Sequence, residues 1–338
     1  LKRARTSAFV FVSALLLAAA CTPSTPAQNP DDNPPPLEGD GPKTGEGPAA
    51  PASSPKVKEG MDAIQAGDFA KAKEVLTAAE VEAPNDPQAA FYMGVALEGS
   101  GDAEGAAEKY ERALKLDPKL AEASVNLSAL LLDGGDAKRS LEVVDAGLKT
   151  APKHPGLLMN RALALEASGD AAGALDAYGK AVAAQPDNLE LRYAHAELLA
   201  GAGKKDEALA ELRKVAASDD VKLLAAAANV FGKLQAFGDC VSALDKAVRK
   251  KGAPELFTRR GVCRHEMKDD AGAKGDFEAA LKLDPKFAPA HYYLGMHYKA
   301  LGKAKEAKTE LQKAVELGGN EGVGAAAKKA LDELGKKP

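Results

Sequence analysis

The chain has 338 residues, of which 45 % are apolar and 28 % charged, with a formal net charge of −4. Aromatic residues make up only 5 % and tryptophan is absent, which excludes a single large aromatic core. Alanine, leucine, lysine and glutamate dominate and favour helix. The mildly acidic, interspersed charge excludes an electrostatic footprint for nucleic acid.

Residues 1–20 have the three-part layout of an export signal. Lys2, Arg3 and Arg5 form a basic start, Ala8 to Ala20 an apolar run, and small residues the end. The run is too short for a membrane helix, which needs about 20 apolar residues. No later window reaches that length without charges, so no other spanning candidate exists in the sequence. The run closes on Leu17-Ala18-Ala19-Ala20-Cys21. This stretch resembles the lipobox of bacterial lipoproteins, although the usual leucine three places before the cysteine is Ala18. The resemblance implies acylation of Cys21, and Thr22 in place of an aspartate implies the outer membrane. Ala18-Ala19-Ala20 also has the A-x-A form that ordinary signal peptidase accepts, which would leave the protein soluble in the periplasm.

Residues 21–55 hold ten of the chain's 20 prolines among glycine, serine, threonine and aspartate. Such a composition cannot bury enough apolar surface to offset its ordering entropy, and a disordered tether is expected.

From residue 56 to 320 the sequence repeats itself. Gly67-Asp68, Gly101-Asp102, Gly135-Asp136 and Gly169-Asp170 recur at a spacing of 34, as do Pro84, Pro118, Pro152 and Pro186. Ala72, Ala106 and Ala174 keep the same register, with Ser140 substituting once. Looser units follow, with Ala208, Ala243, Ala273 and Ala307 read at the small-residue position. The spacing predicts pairs of amphipathic helices. In each pair the Gly-Asp step ends one helix and caps the next, and proline ends the second. The period and FYMGVALEGSGDAEGAAEKYERALKLDP (residues 91–118) resemble the tetratricopeptide repeat (TPR) family. The resemblance implies an all-α solenoid of about eight helix hairpins wound as a right-handed superhelix. Residues 321–338 read as a capping helix and tail. Regularity falters between 216 and 254, where no proline follows the fifth unit and the sixth reads as shortened. The array either bends there or divides.

No catalytic constellation, cofactor motif or metal-ligand spacing stands out. The five histidines (154, 195, 265, 291 and 297) are scattered, and Gly322-Val323-Gly324 lacks the preceding strand of a dinucleotide site. The expectation is a binding protein rather than an enzyme, with no cofactor.

In the TPR family the fifth and sixth residues of each first helix meet bound peptides in a concave groove. Carried onto this sequence, the sixth position gives Lys58, Tyr92, Asn126, Asn160, Ala194, Asn229, Arg259 and Tyr293. The fifth adds Phe91, Met159, Tyr193 and Tyr292. Consecutive Asn126 and Asn160 resemble the asparagine ladder by which some members hold an extended peptide, since an amide can both donate and accept. In the same register Cys240 opens the second helix of the sixth unit and Cys263 lies late in the first helix of the seventh. Those helices pack as neighbours, so the two cysteines either form a disulfide or remain two small buried residues. The function this implies is a lipid-anchored adaptor or assembly factor, binding a protein or peptide partner in the cell envelope. Anchored TPR lipoproteins of this layout serve pilus-secretin assembly or coordinate cell-wall enzymes. The alternatives are a soluble periplasmic scaffold and, in a different class, an enzyme subunit or glycan-binding module.

Overall fold

A computed structural model describes residues 54–335. The signal, Cys21 and the proline-rich tether lie outside the described residues. Those described contain 17 helices and no strand. They pair as α1 (Pro55–Gln65) with α2 (Phe69–Glu82), α3 (Pro87–Gly99) with α4 (Ala103–Leu116), and α5 (Ala121–Asp133) with α6 (Ala137–Thr150). Next come α7 (Pro155–Ala167) with α8 (Ala171–Ala184), and α9 (Leu189–Gly201) with α10 (Lys205–Val215). Then follow α11 (Val221–Lys233) with α12 (Phe237–Lys250), α13 (Pro254–Glu266) with α14 (Asp270–Leu283), and α15 (Ala288–Ala300) with α16 (Ala304–Gly318). A last helix, α17 (Gly322–Gly335), stands alone after the eight hairpins. No described helix is long and apolar enough to cross a membrane.

The chain divides into two compact units, with described parts 54–191 and 192–335, and the division falls within α9. It does not fall in the 216–254 stretch where the sequence pattern weakens.

The hairpin turns are built as their residue types dictate. Gly67, Gly101, Gly135 and Gly169 have φ of +74°, +85°, +80° and +81°, the left-handed region that costs glycine nothing. Each following aspartate caps a second helix: Asp68, Asp102, Asp136 and Asp170 accept from the backbone N–H of Lys71, Gly105, Arg139 and Gly173. The small-residue position is fully enclosed, with Ala72, Ala106, Ser140, Ala174, Ala208, Ala273 and Ala307 all at 0 % exposure. Opposite it the two helices of a hairpin approach closely. A Cβ added at Gly94 would meet the Tyr110 ring at 2.6 Å, and one at Gly261 would meet Phe277 at 2.6 Å. In these two hairpins glycine on one helix makes room for a large ring on the other.

Two sequence readings of the array are corrected. The shortened unit is the fifth, where α10 has 11 residues against 14 in α2, α4, α6 and α8. The sixth hairpin keeps a 14-residue second helix. The second correction concerns register within that hairpin. Its cap is Ala236, and the residue four places on, where Ala106 stands relative to Asp102, is Cys240 and not Ala243. Leu244 then occupies the place of Tyr110, at 0 % exposure. The Gly-Asp marker that sets the register elsewhere is replaced here by Gln235-Ala236, which accounts for the three-residue slip.

The seventh hairpin holds an ionic network where the second and third hairpins have apolar Met93 and Leu127. Arg260 stands where α3 has buried Met93. Its Nε lies 3.0 Å and its Nη2 2.5 Å from the carboxylate of Asp276, and its Nη1 lies 2.7 Å from Asp245. Arg264 joins at 2.9 Å. Asp276 is 3 % exposed, and burial of that charge is sustained only because both arginines pair with it. At the C-terminal end α17 lays Val323, Ala327 and Ala330 on Tyr292, Leu311 and Ala314. The apolar face that α15 and α16 would otherwise present to water is thereby covered, as solenoid ends require.

Candidate functional site

Within each unit the first helices of successive hairpins touch one another: α1 with α3 and α5 with α7 in one, α13 with α15 in the other. Within a unit these contacts set first helices side by side in a layer, and the residues that layer leaves accessible are the natural working surface. Here the structure separates the sequence candidates into two groups.

At the fifth position Phe91, Tyr193 and Tyr292 are buried, at 8 %, 6 % and 5 % exposure. Phe91 packs 5.8 Å from Tyr110, centroid to centroid, in the core between α3, α4 and α5. Tyr292 belongs to the core that α17 closes. The hydroxyl of Tyr193 pairs with Glu197, and burial, with that carboxylate second, pushes its pKa up. These three rings are therefore core anchors and do not offer faces to a ligand. Met159, at the same position, stays half-buried.

At the sixth position Lys58 is exposed, and Tyr92, Asn126, Ala194, Arg259 and Tyr293 are half-buried. Asn160 is the exception. It is 3 % exposed, and its Nδ2 donates to Val125 O at 2.9 Å and to Ser128 Oγ at 2.8 Å. Both amide hydrogens are used on the preceding hairpin, so an asparagine ladder of Asn126 and Asn160 is not presented. Asn126 itself donates to Tyr110 Oη at 3.2 Å, and that hydroxyl donates to Glu98 Oε2 at 2.6 Å. Burial, with Glu98 second, raises the Tyr110 pKa, which keeps the hydroxyl protonated as a donor. Asn229 falls out of the set for a different reason. With Asp220 capping α11, the sixth position is Ala226, buried at 1 %, and Asn229 is the ninth.

What remains is a pair of mixed apolar and polar patches. In the first unit half-buried Tyr92 packs against the same cores as half-buried Met61 and Val95, and Lys58 and Asn126 hold the sixth position in the hairpins before and after it. Burial, with Glu122 second, raises the Tyr92 pKa, so the ring presents a neutral phenol. In the second unit Arg259 and Val262 of α13 stand on the same layer as Tyr293 and Met296 of α15. Tyr293 is held by stacking on Phe277, centroids 6.3 Å apart. Rigid aromatic anchors with a polar tip and an arginine are the residue types that dominate binding surfaces.

The two cysteines of the folded part are joined. A disulfide links Cys240 of α12 to Cys263 of α13, with Cα atoms 6.4 Å apart. Sequence reading overlooked a different group: His265 near the end of α13, Asp270 opening α14 and His297 late in α15 converge. The usable signal was that His265 and His297 are 32 residues apart, near one repeat period, so they lie on the first helices of successive hairpins.

Tetratricopeptide-repeat family profiles match residues 57–121 and 159–221, 97–162, and 288–317. Together these cover more than half of the chain. The chain is a tetratricopeptide repeat protein. Among solved structures, this TPR protein is similar to Pseudomonas aeruginosa pilF, at 16 % identity and a TM-score of 0.51, over 58 % of this chain and 90 % of that one. It is also similar to yeast Tom70, at 16 % identity and a TM-score of 0.48, over 86 % and 66 %. A third likeness is to MamA from Desulfovibrio magneticus, at 23 % identity and a TM-score of 0.42, over 55 % and 96 %. A curated relative, serine/threonine-protein phosphatase T of Trypanosoma brucei brucei, is 36 % identical over 72 residues. That match spans 21 % of the TPR protein and only 15 % of the phosphatase's length.

Proposed function

We propose that this TPR protein is a partner-binding adaptor of the bacterial cell envelope, tethered to the outer membrane through Cys21. The observation that supports binding most directly is the accessible patch of Tyr92, Met61 and Val95 on the first-helix layer. Phe91, Tyr110 and Tyr178 are buried in the same unit, whereas Tyr92 stays half-covered on the first-helix face. The Arg259–Tyr293 patch has the same character in the second unit. A protein or extended peptide suits such surfaces, because amphipathic rings and an arginine supply contact area with little loss of side-chain freedom. The apolar run ending at Cys21 and the proline-rich segment after it support the anchored arrangement, since one acyl-bearing cysteine on a long tether lets the folded part work away from the membrane surface.

The test is site-specific photocrosslinking in living cells, with the photoreactive residue placed at Tyr92, at Arg259, and at Val81 as a control. Val81 is 75 % exposed on α2, the other helix of its hairpin. Shared crosslinked products from 92 and 259 that are missing from 81 are expected. Identical products from all three positions, or none, would sink the adaptor reading. Anchoring is tested separately by labelling with radioactive palmitate. Label lost on Cys21→Ser supports the anchor, and absence of label from the wild type leaves a soluble periplasmic scaffold.

A further inference from the structure

The seventh and eighth hairpins bring three metal-ligand side chains to one point. His265 sits one residue before the end of α13, Asp270 is the first residue of α14, and His297 lies in the last turn of α15. One ligand atom from each lies within 4.8 Å of the others. The Nδ1 atoms of His265 and His297 are 3.0 Å apart, with the rings nearly perpendicular at 83°. We propose that His265, Asp270 and His297 form a binding site for a zinc-class divalent metal ion that clips the seventh hairpin to the eighth.

Three features of the geometry carry this. Two imidazole nitrogens bound to zinc at about 2.0–2.1 Å in a tetrahedral arrangement lie about 3.3 Å apart, so the observed pair needs to open by only a few tenths of an ångström. The ligand set, two imidazoles and one carboxylate, is the chemistry that borderline divalent ions prefer, whereas calcium and magnesium take oxygen ligands. The third feature is the contrast of burial across the set. His297 is 1 % exposed and fixed among Phe277 and Tyr298, with ring centroids 6.2 Å away in each case. Asp270 is exposed and His265 half-buried. One ligand is thus rigidly placed, and the open side admits the ion and the water that completes its coordination. Both histidines also lie at helix C-terminal ends, where the helix dipole favours a cation. The nearby cations are occupied elsewhere: Lys274 pairs with Glu278 at 3.2 Å, and Lys303 lies over the Tyr298 ring at 5.9 Å.

The site would complete a series of cross-links. The Cys240–Cys263 disulfide ties α12 to α13, and the metal would tie α13 and α14 to α15, so three successive hairpins share fixed points.

The experiment is titration of the metal-stripped full chain with Zn²⁺ by calorimetry and with Co²⁺ by visible absorption, followed by thermal unfolding with and without Zn²⁺. One high-affinity ion per chain is expected, together with a rise in Tm. His265→Asn and Asp270→Asn, both at accessible positions, should weaken binding at least tenfold while leaving helical circular dichroism unchanged. His154→Asn, which keeps a good helix cap, should bind as the wild type does. Equal affinity in the wild type and both ligand variants would overturn the site. So would a thiolate-to-cobalt charge-transfer band, which would assign the ion to Cys21. A third overturning result is no binding at all, which leaves His265 and His297 as a plain imidazole–imidazole hydrogen bond.

Discussion

Nδ2 of Asn160 lies 2.8 Å from Oγ of Ser128, across the boundary between the third and fourth hairpins. The same nitrogen donates to Val125 O, and the side chain is almost fully enclosed. Asn160 therefore locks one repeat to the next from the inside. Asn160→Ala is expected to destabilise the fold by about 1–3 kcal/mol, because the carbonyl of Val125 and the hydroxyl of Ser128 lose their donor in a dry place. Urea unfolding followed by circular dichroism measures this. A variant as stable as the wild type would show that the hydrogen bonds contribute nothing net.

The disulfide closes a loop between Cys240 and Cys263, which are 23 positions apart in sequence. On the chain-entropy account such a loop is worth about 3 kcal/mol, all of it through restriction of the unfolded state. Cys240→Ala with Cys263→Ala should lower stability by an amount of that order. Reductant should reproduce the loss in the wild type and have no effect on the double variant. Thiol counting on denatured protein, with and without reductant, checks the bond itself: two additional thiols should appear only after reduction.

Two turns use the left-handed conformation without glycine. Gln235 has φ of 58° and Lys268 of 64°, at the places where Gly67, Gly101, Gly135 and Gly169 stand in the first four hairpins. A side chain costs about 1–2 kcal/mol in that region, offset in part by the greater freedom of glycine when unfolded. Gln235→Gly and Lys268→Gly are each expected to raise stability by about 0.5–1 kcal/mol. A shift of the urea midpoint to lower concentration in either variant would contradict the assignment of strain.

His195 makes stability depend on pH. Burial holds its pKa below the ordinary imidazole value, with Arg192 and Lys204 acting in the same direction and Glu211 and Glu207 against it. Its Nδ1 is buried and has no hydrogen-bond partner among the described residues. On acidification the unfolded chain takes up this proton first, near pH 6.5, so the unfolded state binds more protons and stability falls as pH drops below about 6.5. The contribution is complete above that value and is lost progressively towards the lower folded pKa. His195→Gln should flatten the dependence between about pH 7.5 and pH 5.5 in urea titrations. An equal slope in the variant would place the titrating group elsewhere.

Much of this protein is legible from local signals. The Gly-Asp steps, the prolines and the 34-residue period mark hairpin ends within a few residues, because a positive φ, a helix cap and a missing N–H act on the backbone where they stand. The small-residue position follows for the same reason in every hairpin that carries the Gly-Asp or Gly-Lys step. Where the step is replaced by Gln235-Ala236, the marker disappears and Asn229 is assigned three places out of register.

The working surface was less legible. A position in a repeat says which helix face a residue occupies, but not how deeply the next hairpin covers it. Phe91, Tyr193, Tyr292 and Asn160 share positions with accessible neighbours yet are buried, Asn160 by bonds to the preceding hairpin and Tyr292 under α17. Cys240 meets Cys263, and His265 meets His297, only because successive hairpins are placed side by side. Sequence by itself determined the helices, their turns and the repeat, since those arise from interactions within a few residues. The tertiary structure alone decided which side chains are spent on holding hairpins together and which remain for a partner or an ion, because that depends on distances between residues tens of positions apart.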